Sequence, residues 1–217
     1  MLNFIFIFEI IGTAAYAVMG ALTAIKRKMD MFGTVVLGVT TATGGGIIRD
    51  VILGYTPPRT FRYPVYAAVA TIFSVIVIIP FIRKRFIDNN KIYEKIIFIL
   101  DTVGLGLFTI MGVGIAYETS GDYSLFLVVF VGVITGVGGG VLRDIFSGSI
   151  PYIFIKHIYA CASIAGAIVC AVMWNITEKS YAMITGMIII VMIRCLSAYF
   201  KWNLPVSRER EEKNEGV

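Results

Sequence analysis

Charged residues are spaced along this chain so that long apolar stretches lie between them. The uncharged runs cover 10–25, 31–48, 63–82, 102–117, 123–142, 158–177 and 180–193. Three of them continue past a single charge: the first back through 2–8 across Glu9, the fourth back to 96 across Asp101, and the last on to 200 across Arg194. Each approaches the roughly 20 residues that a helix needs to cross about 30 Å of hydrocarbon. The pattern predicts an all-α polytopic membrane protein with seven transmembrane helices.

Composition agrees. The 217 residues are 58% hydrophobic and 15% charged, with a mean hydropathy of +0.84, where a soluble domain carries about 45–50% apolar and about 25% charged residues. The small-residue stretch Thr13 to Ala17 resembles a cleavage site, but the start lacks a basic segment and Glu9 interrupts the apolar region that a signal peptide requires, so the first run is expected to stay as a helix. Cys161, Cys170 and Cys195 all fall within spans and are expected to serve as small apolar residues. The single histidine, His157, cannot build a metal site, and no fixed metal or other cofactor is expected.

The net charge of +5 reports topology. Four basic residues, Arg49, Arg59, Arg62 and Lys179, lie in segments on the N-terminal side of the bundle, against fourteen on the other, among them Lys26, Arg27 and Lys28, Arg83, Lys84 and Arg85, and the basic residues of the tail. By the positive-inside rule the N-terminus is outside and the C-terminus cytoplasmic, in a multi-pass cell-membrane protein with no nucleic-acid partner. Residues 1–203 are expected to form a single transmembrane domain, and the polar, mixed-charge end 204–217 a disordered cytoplasmic tail.

Two stretches, TTATGGGIIRDVILGYTPP at 40–58 and ITGVGGGVLRDIFSGSIPY at 134–152, are near copies at an offset of 94 residues. Upstream the register becomes 92: Gly12 meets Gly104, Met19-Gly20 meets Met111-Gly112, and Glu9 meets Asp101. Each unit, 1–85 and 95–175, therefore holds three spans, and the seventh helix at 180–200 stands outside. An odd number of spans makes the second copy enter the membrane from the opposite side, which predicts inverted repeats related by an axis in the membrane plane.

Two readings fit Gly44, Gly45 and Gly46 with their copies Gly138, Gly139 and Gly140. One is close packing of backbones through small residues. The other is a kink or unwound segment that lends carbonyls to a cavity, since irregular backbone at depth is tolerated only where protein or cavity water satisfies it. Arg49-Asp50 and Arg143-Asp144 behind the glycines favour the cavity, because ionisable groups at depth cost about 2.5–3.5 kcal/mol each. Adjacent residues on a helix point apart, so cross-pairing between halves, Arg49 with Asp144 and Asp50 with Arg143, is expected. Glu9 and Asp101, in the first turns of their spans, either concentrate cations at two opposite mouths or polarise helix starts. Thr41 and Thr135 could line a wet path, although a membrane threonine also bonds its own helix. Arg194 is close enough to the end of the seventh span to snorkel. Dinucleotide, phosphate-loop, zinc-protease and nucleophile-elbow patterns are absent, and no enzymatic chemistry is visible.

The doubled GGG(I/V)(I/L)RD blocks, each followed by Gly and Pro in a three-plus-three-plus-one chain, resemble the prokaryotic branch of the trimeric intracellular cation channels (TRIC), a sequence family that has also been labelled a glycine transporter. The resemblance covers about residues 3–200. It implies a homotrimer with a pore in each protomer, helices two and five bent at the triple glycines, and passive conduction of potassium and sodium. The Lys-Glu-Val motif of the animal members, near which they bind phosphoinositide, is missing here, so lipid gating does not carry over. The expectation is a monovalent cation channel narrowed at the glycines, with Glu9, Asp50, Asp101 and Asp144 favouring cations. The alternative is a secondary transporter of a small amino acid such as glycine, with a mid-depth arginine binding the substrate carboxylate. A third class, a scaffold protein, would leave the buried charges without use.

Overall fold

The computed structural model describes residues 2–80, 90–119, 124–155 and 157–202. The expected tail at 204–217 lies outside the described residues. All regular structure among them is helical, in the order α1 (Leu2–Lys26), α2 (Met31–Ile52), α3 (Arg59–Arg62), α4 (Val65–Ile78), α5 (Asn90–Thr119), α6 (Leu125–Phe146), α7 (Tyr152–Ile155), α8 (His157–Met173) and α9 (Lys179–Tyr199). Residues 6–26 of α1, and α2, α5, α6 and α9, are long and apolar enough to cross a membrane, whereas α4 and α8 are apolar but shorter. The third expected run, 63–82, is trimmed at both ends by proline. Pro64 caps α4, and Ile79 takes an extended backbone (φ −54, ψ 126), as the residue before a proline does.

The duplicated sequence builds duplicated local structure. Asp30 caps α2 by accepting from Gly33 N–H at 2.6 Å, and Ser124 caps α6 by accepting from Leu127 N–H at 3.3 Å. At the other ends Gly54 (φ +78) and Gly148 (φ +69) turn the chain left-handed, where a side chain would be strained. Tyr55 N–H then returns to Asp50 O, and Ser149 N–H to Asp144 O, both at 2.8 Å, closing a Schellman motif on each helix.

Helices α1, α2 and α4 pack mutually, as α5, α6 and α8 do, and the two groups meet through α2 against α6 and α1 against α5; α9 lies on α5 and α8. Lys26 Nζ donates to Asn90 Oδ1 at 3.3 Å, which sets the end of α1 beside the start of α5. Central α5 is buried at nearly every position from Asp101 to Ala116. Large apolar side chains such as Phe32, Ile72, Phe126, Ile168 and Ile188 face outward, the inverse of a water-soluble surface and the distribution that lipid requires.

Both glycine triplets lie inside unbroken helix, so the unwound alternative does not describe them. They are contact points. A Cβ on Gly45 would strike the carbonyl oxygen of Thr135, one on Gly139 that of Thr41, and one on Gly138 would stand 3.1 Å from Gly45 Cα. By contrast a Cβ on Gly46 meets nothing closer than Arg49 Nη2 at 3.6 Å. The two neighbouring positions Gly45 and Gly46 should therefore respond differently. Gly45→Ala is expected to lower stability by about 1–3 kcal/mol through overpacking, and Gly46→Ala to be neutral or stabilising through helix propensity, as read by thermal unfolding of the detergent-solubilised protein.

Candidate functional site

Each Arg-Asp pair closes on itself. Arg49 Nε and Nη2 both donate to Asp50 Oδ1 at 2.8 Å, and Arg143 does the same to Asp144 Oδ1 at 2.8 and 2.7 Å. The expected cross-pairing between halves is therefore incorrect. Neighbouring Cβ atoms do diverge, but three methylenes let the guanidinium swing back around the helix end and meet the carboxylate side-on. The second oxygen is also occupied: Asp50 Oδ2 accepts from Arg59 N–H at 2.7 Å, and Asp144 Oδ2 from Tyr152 N–H at 2.8 Å. These amides open α3 and α7, so each aspartate ties the chain leaving a long helix back to that helix.

The two outlying carboxylates sit beside these pairs at opposite ends of the bundle. Glu9, two turns into α1, accepts a hydrogen bond from the Tyr66 hydroxyl. With Thr13, Thr43, Gly46, Arg49 and Phe108 it lines a narrow cavity of about 30 Å³. A wider cavity of about 770 Å³ shares Glu9, Arg59 and Tyr66 and continues toward Arg62 and Glu118. Asp101 lies eleven residues into α5 and is buried, too deep to cap the helix start. Its Oδ2 accepts from Arg194 Nη2 at 2.9 Å, and its Oδ1 faces Arg143 Nη1 at 3.7 Å and the Tyr159 hydroxyl at 3.3 Å. A cavity of about 330 Å³ opens on this cluster past Ile97 and Glu94, and a second of about 430 Å³ flanks Arg194 toward Lys201 and Trp202.

Arg194 does not snorkel: it is 3% exposed. Its guanidinium stands 4.7 Å from the Tyr159 ring and 4.9 Å from that of Phe98, contacts that stabilise a desolvated cation while its Nε makes no hydrogen bond. A carboxylate within reach outweighs the distance to the interface. Thr41 and Thr135 hydroxyls each donate to their own helix, to Leu37 O and Val131 O at 2.6 Å, which commits their protons to backbone and leaves their oxygen lone pairs as acceptors.

Three residues were not singled out from the sequence. Tyr66 and Tyr159 answer each other at an offset of 93, and carrying the repeat past a further length change of one residue would have found them. Tyr16, which donates to Gly136 O at 2.8 Å across the bundle, aligns with Phe108 and differs by its hydroxyl alone.

A sequence model of the family described as "Glycine transporter" matches residues 6–81 and 98–175, the two halves of the bundle. The UPF0126 inner membrane protein YadS of Escherichia coli (strain K12) is 37% identical over 198 residues, 90% of this chain and 91% of that protein. A UPF0126 membrane protein of Deinococcus radiodurans is 32% identical, over 92% of this chain and 90% of its own. Among solved structures, one described as "Structural basis for conductance through TRIC cation channels" superposes with a TM-score of 0.82 at 36% identity, over 94% and 97% of the two chains. The TRIC orthologue from Rhodobacter sphaeroides superposes at 0.83 and 28% identity, over 92% of this chain and all of that one. The chain belongs to the TRIC family.

Relatives in this TRIC family are membrane proteins and cation channels, not enzymes. Both matched segments hold a glycine triplet and its Arg-Asp pair, and α9 with Arg194 lies beyond them. The cluster of Asp101, Arg143 and Asp144 therefore receives its fourth charge, Arg194, from a helix outside the matched segments. Removing one member of such a buried pair leaves the other desolvated and unpaired, at about 3–5 kcal/mol. Asp101→Asn and Arg194→Gln should each destabilise the detergent-solubilised protein on this scale, and the double variant should recover part of the loss in a double-mutant cycle of melting temperatures.

Proposed function

We propose that this protein is a passive channel for monovalent cations, potassium and sodium, in the cell membrane. One observation carries the reading: polar cavities open at opposite ends of the bundle, one lined by Glu9 and Arg49 and the other by Asp101 and Arg143. The description of its structural relatives as cation channels supports the same reading.

In this proposal α1, α2 and α4 form one repeat and α5, α6 and α8 its inverted copy, with α9 as the seventh transmembrane helix, the N-terminus outside and the C-terminus cytoplasmic. The chain assembles as a homotrimer with a path in each protomer, narrowed where the triple glycines bring α2 and α6 together. Glu9 is the carboxylate best placed to concentrate cations, because its hydrogen-bond donor is a neutral phenol whereas Asp101 is held by arginines. Asp50 and Asp144, with both oxygens occupied, shape the mouths instead of binding ions.

The family description as a glycine transporter keeps one rival in view. It needs an arginine available to a substrate carboxylate, and Arg49 and Arg143 are each committed to an aspartate. Purified protein in planar bilayers should give unitary, cation-selective currents, and proteoliposomes should show no saturable glycine uptake. Silent bilayers with verified insertion, or uptake that competitors block, would reverse the assignment. Glu9→Gln should lower the unitary current at low salt and converge on the unmodified protein as salt screens the site.

A further inference from the structure

Of the basic residues at the Glu9 end of the bundle, Arg49 is paired with Asp50, and Lys179 stands 3.9 Å from Glu118. Arg59 and Arg62 of α3 are not paired in this way. Among the described residues neither guanidinium has a carboxylate partner. Arg59 stands 4.6 Å from the Tyr55 ring, and Arg62 donates to Thr56 O at 3.0 Å, which leaves most of their N–H donors free. In the other half the residues at the offset of 93 are Tyr152 and Ile155, so these arginines belong to one end alone. Positive charge at the mouth of a cation path repels the ion it would admit, and conduction therefore gives no reason for them.

Both arginines line the cavity of about 770 Å³, together with Glu9 and Glu118. Its size is that of a ligand pocket, about 300–1,000 Å³. Glu118 is the last residue but one of α5, and Val65, also in the wall, is the first of α4, which puts the cavity near helix ends, at the depth of lipid headgroups. Phe6, Tyr63 and Val65 in the wall are exposed, so the cavity opens on the apolar surface of the bundle. It holds charges of both signs. An anion there would face Glu9 and Glu118, a cation would face Arg59 and Arg62, and a group that carries both charges answers both. The guanidinium fork suits phosphate, and the rings of Tyr63 and Tyr66 suit an ammonium.

We propose that this cavity binds a phosphate ester that carries an ammonium group, the chemistry of a zwitterionic phospholipid headgroup, with the phosphate on Arg59 and Arg62 and the ammonium toward Glu9. The site stands on the cavity alone. Its consequence, that the bound ammonium competes with permeant cations for Glu9, rests on the channel reading.

Calorimetric titration of the detergent-solubilised protein tests the site with three probes: dihexanoyl phosphatidylethanolamine, dihexanoyl phosphatidylglycerol, which has the phosphate without the ammonium, and soluble phosphoethanolamine. The first should bind saturably and the second about tenfold more weakly. Phosphoethanolamine binding as tightly as the lipid assigns the site to a free ester, and its failure beside a lipid that binds assigns it to a headgroup; either result supports the site. Arg59→Gln combined with Arg62→Gln should weaken phosphatidylethanolamine about tenfold with little change in melting temperature, since neither side chain makes an ion pair. Glu9→Gln should abolish the preference for phosphatidylethanolamine over phosphatidylglycerol. If the double variant does not fold, Arg62→Gln at its exposed position carries the test, with Arg62→Lys expected to bind between it and the parent.

No saturable binding of any probe overturns the site. So does equal affinity of the unaltered protein for the two lipids, or a folded arginine variant that binds like its parent. In planar bilayers, dihexanoyl phosphatidylethanolamine added on the Glu9 side should lower the unitary current of the parent at low salt and leave that of the arginine variant unchanged. If the parent binds the lipid as described but passes no current, the site stands and the channel reading fails.

Discussion

Helices surrounded by lipid gain little from burying apolar surface against one another, so how near two backbones can approach decides how well they hold together. At the crossing of α2 and α6 that approach is limited by Gly45 and Gly139, each facing the carbonyl of a threonine on the other helix. The same contact joins the two halves of the chain, and polar cavities open at opposite ends of the bundle around it. Glycine there is a requirement of space, since the backbone is helical on both sides and asks for no unusual dihedral angle.

Charge is arranged around that contact in a way that limits its cost. Asp50 and Asp144 each bind an arginine with one oxygen and the first amide of a short helix with the other. A buried ion pair holds a fold when its remaining lone pairs are satisfied, and it weakens the fold when they are not. Here the pair, the helix end and the returning chain are secured by one carboxylate. The two ends differ where α9 adds Arg194 to the cluster around Asp101, while Glu9 at the other end has the Tyr66 hydroxyl. Two ends of the bundle built from the same motif thus present different electrostatics.

Much of this was legible beforehand. The helical membrane class and the approximate bounds of α1, α2, α5, α6 and α9 follow from runs of uncharged residues, because hydrocarbon admits few other structures. The glycine triplets and the carboxylates Glu9 and Asp101 stood out because the duplication marked them. The pairing of the arginines did not, since it depends on how a long side chain bends at a helix end. Arg194 was misread for a related reason: nothing along the chain says that α9 lies against α5.

The sequence by itself determined which segments enter the membrane, that two of the segments carry the same motif, and which residue types stand at depth, for these depend on local polarity and order along the chain. Only the tertiary structure decided what each of those residues touches. Whether Gly45 has room for a side chain, whether Arg49 reaches a neighbour or the other half, and whether Tyr16 meets Phe108 are questions of distance between helices. Those distances are set by the packing of the whole bundle at once.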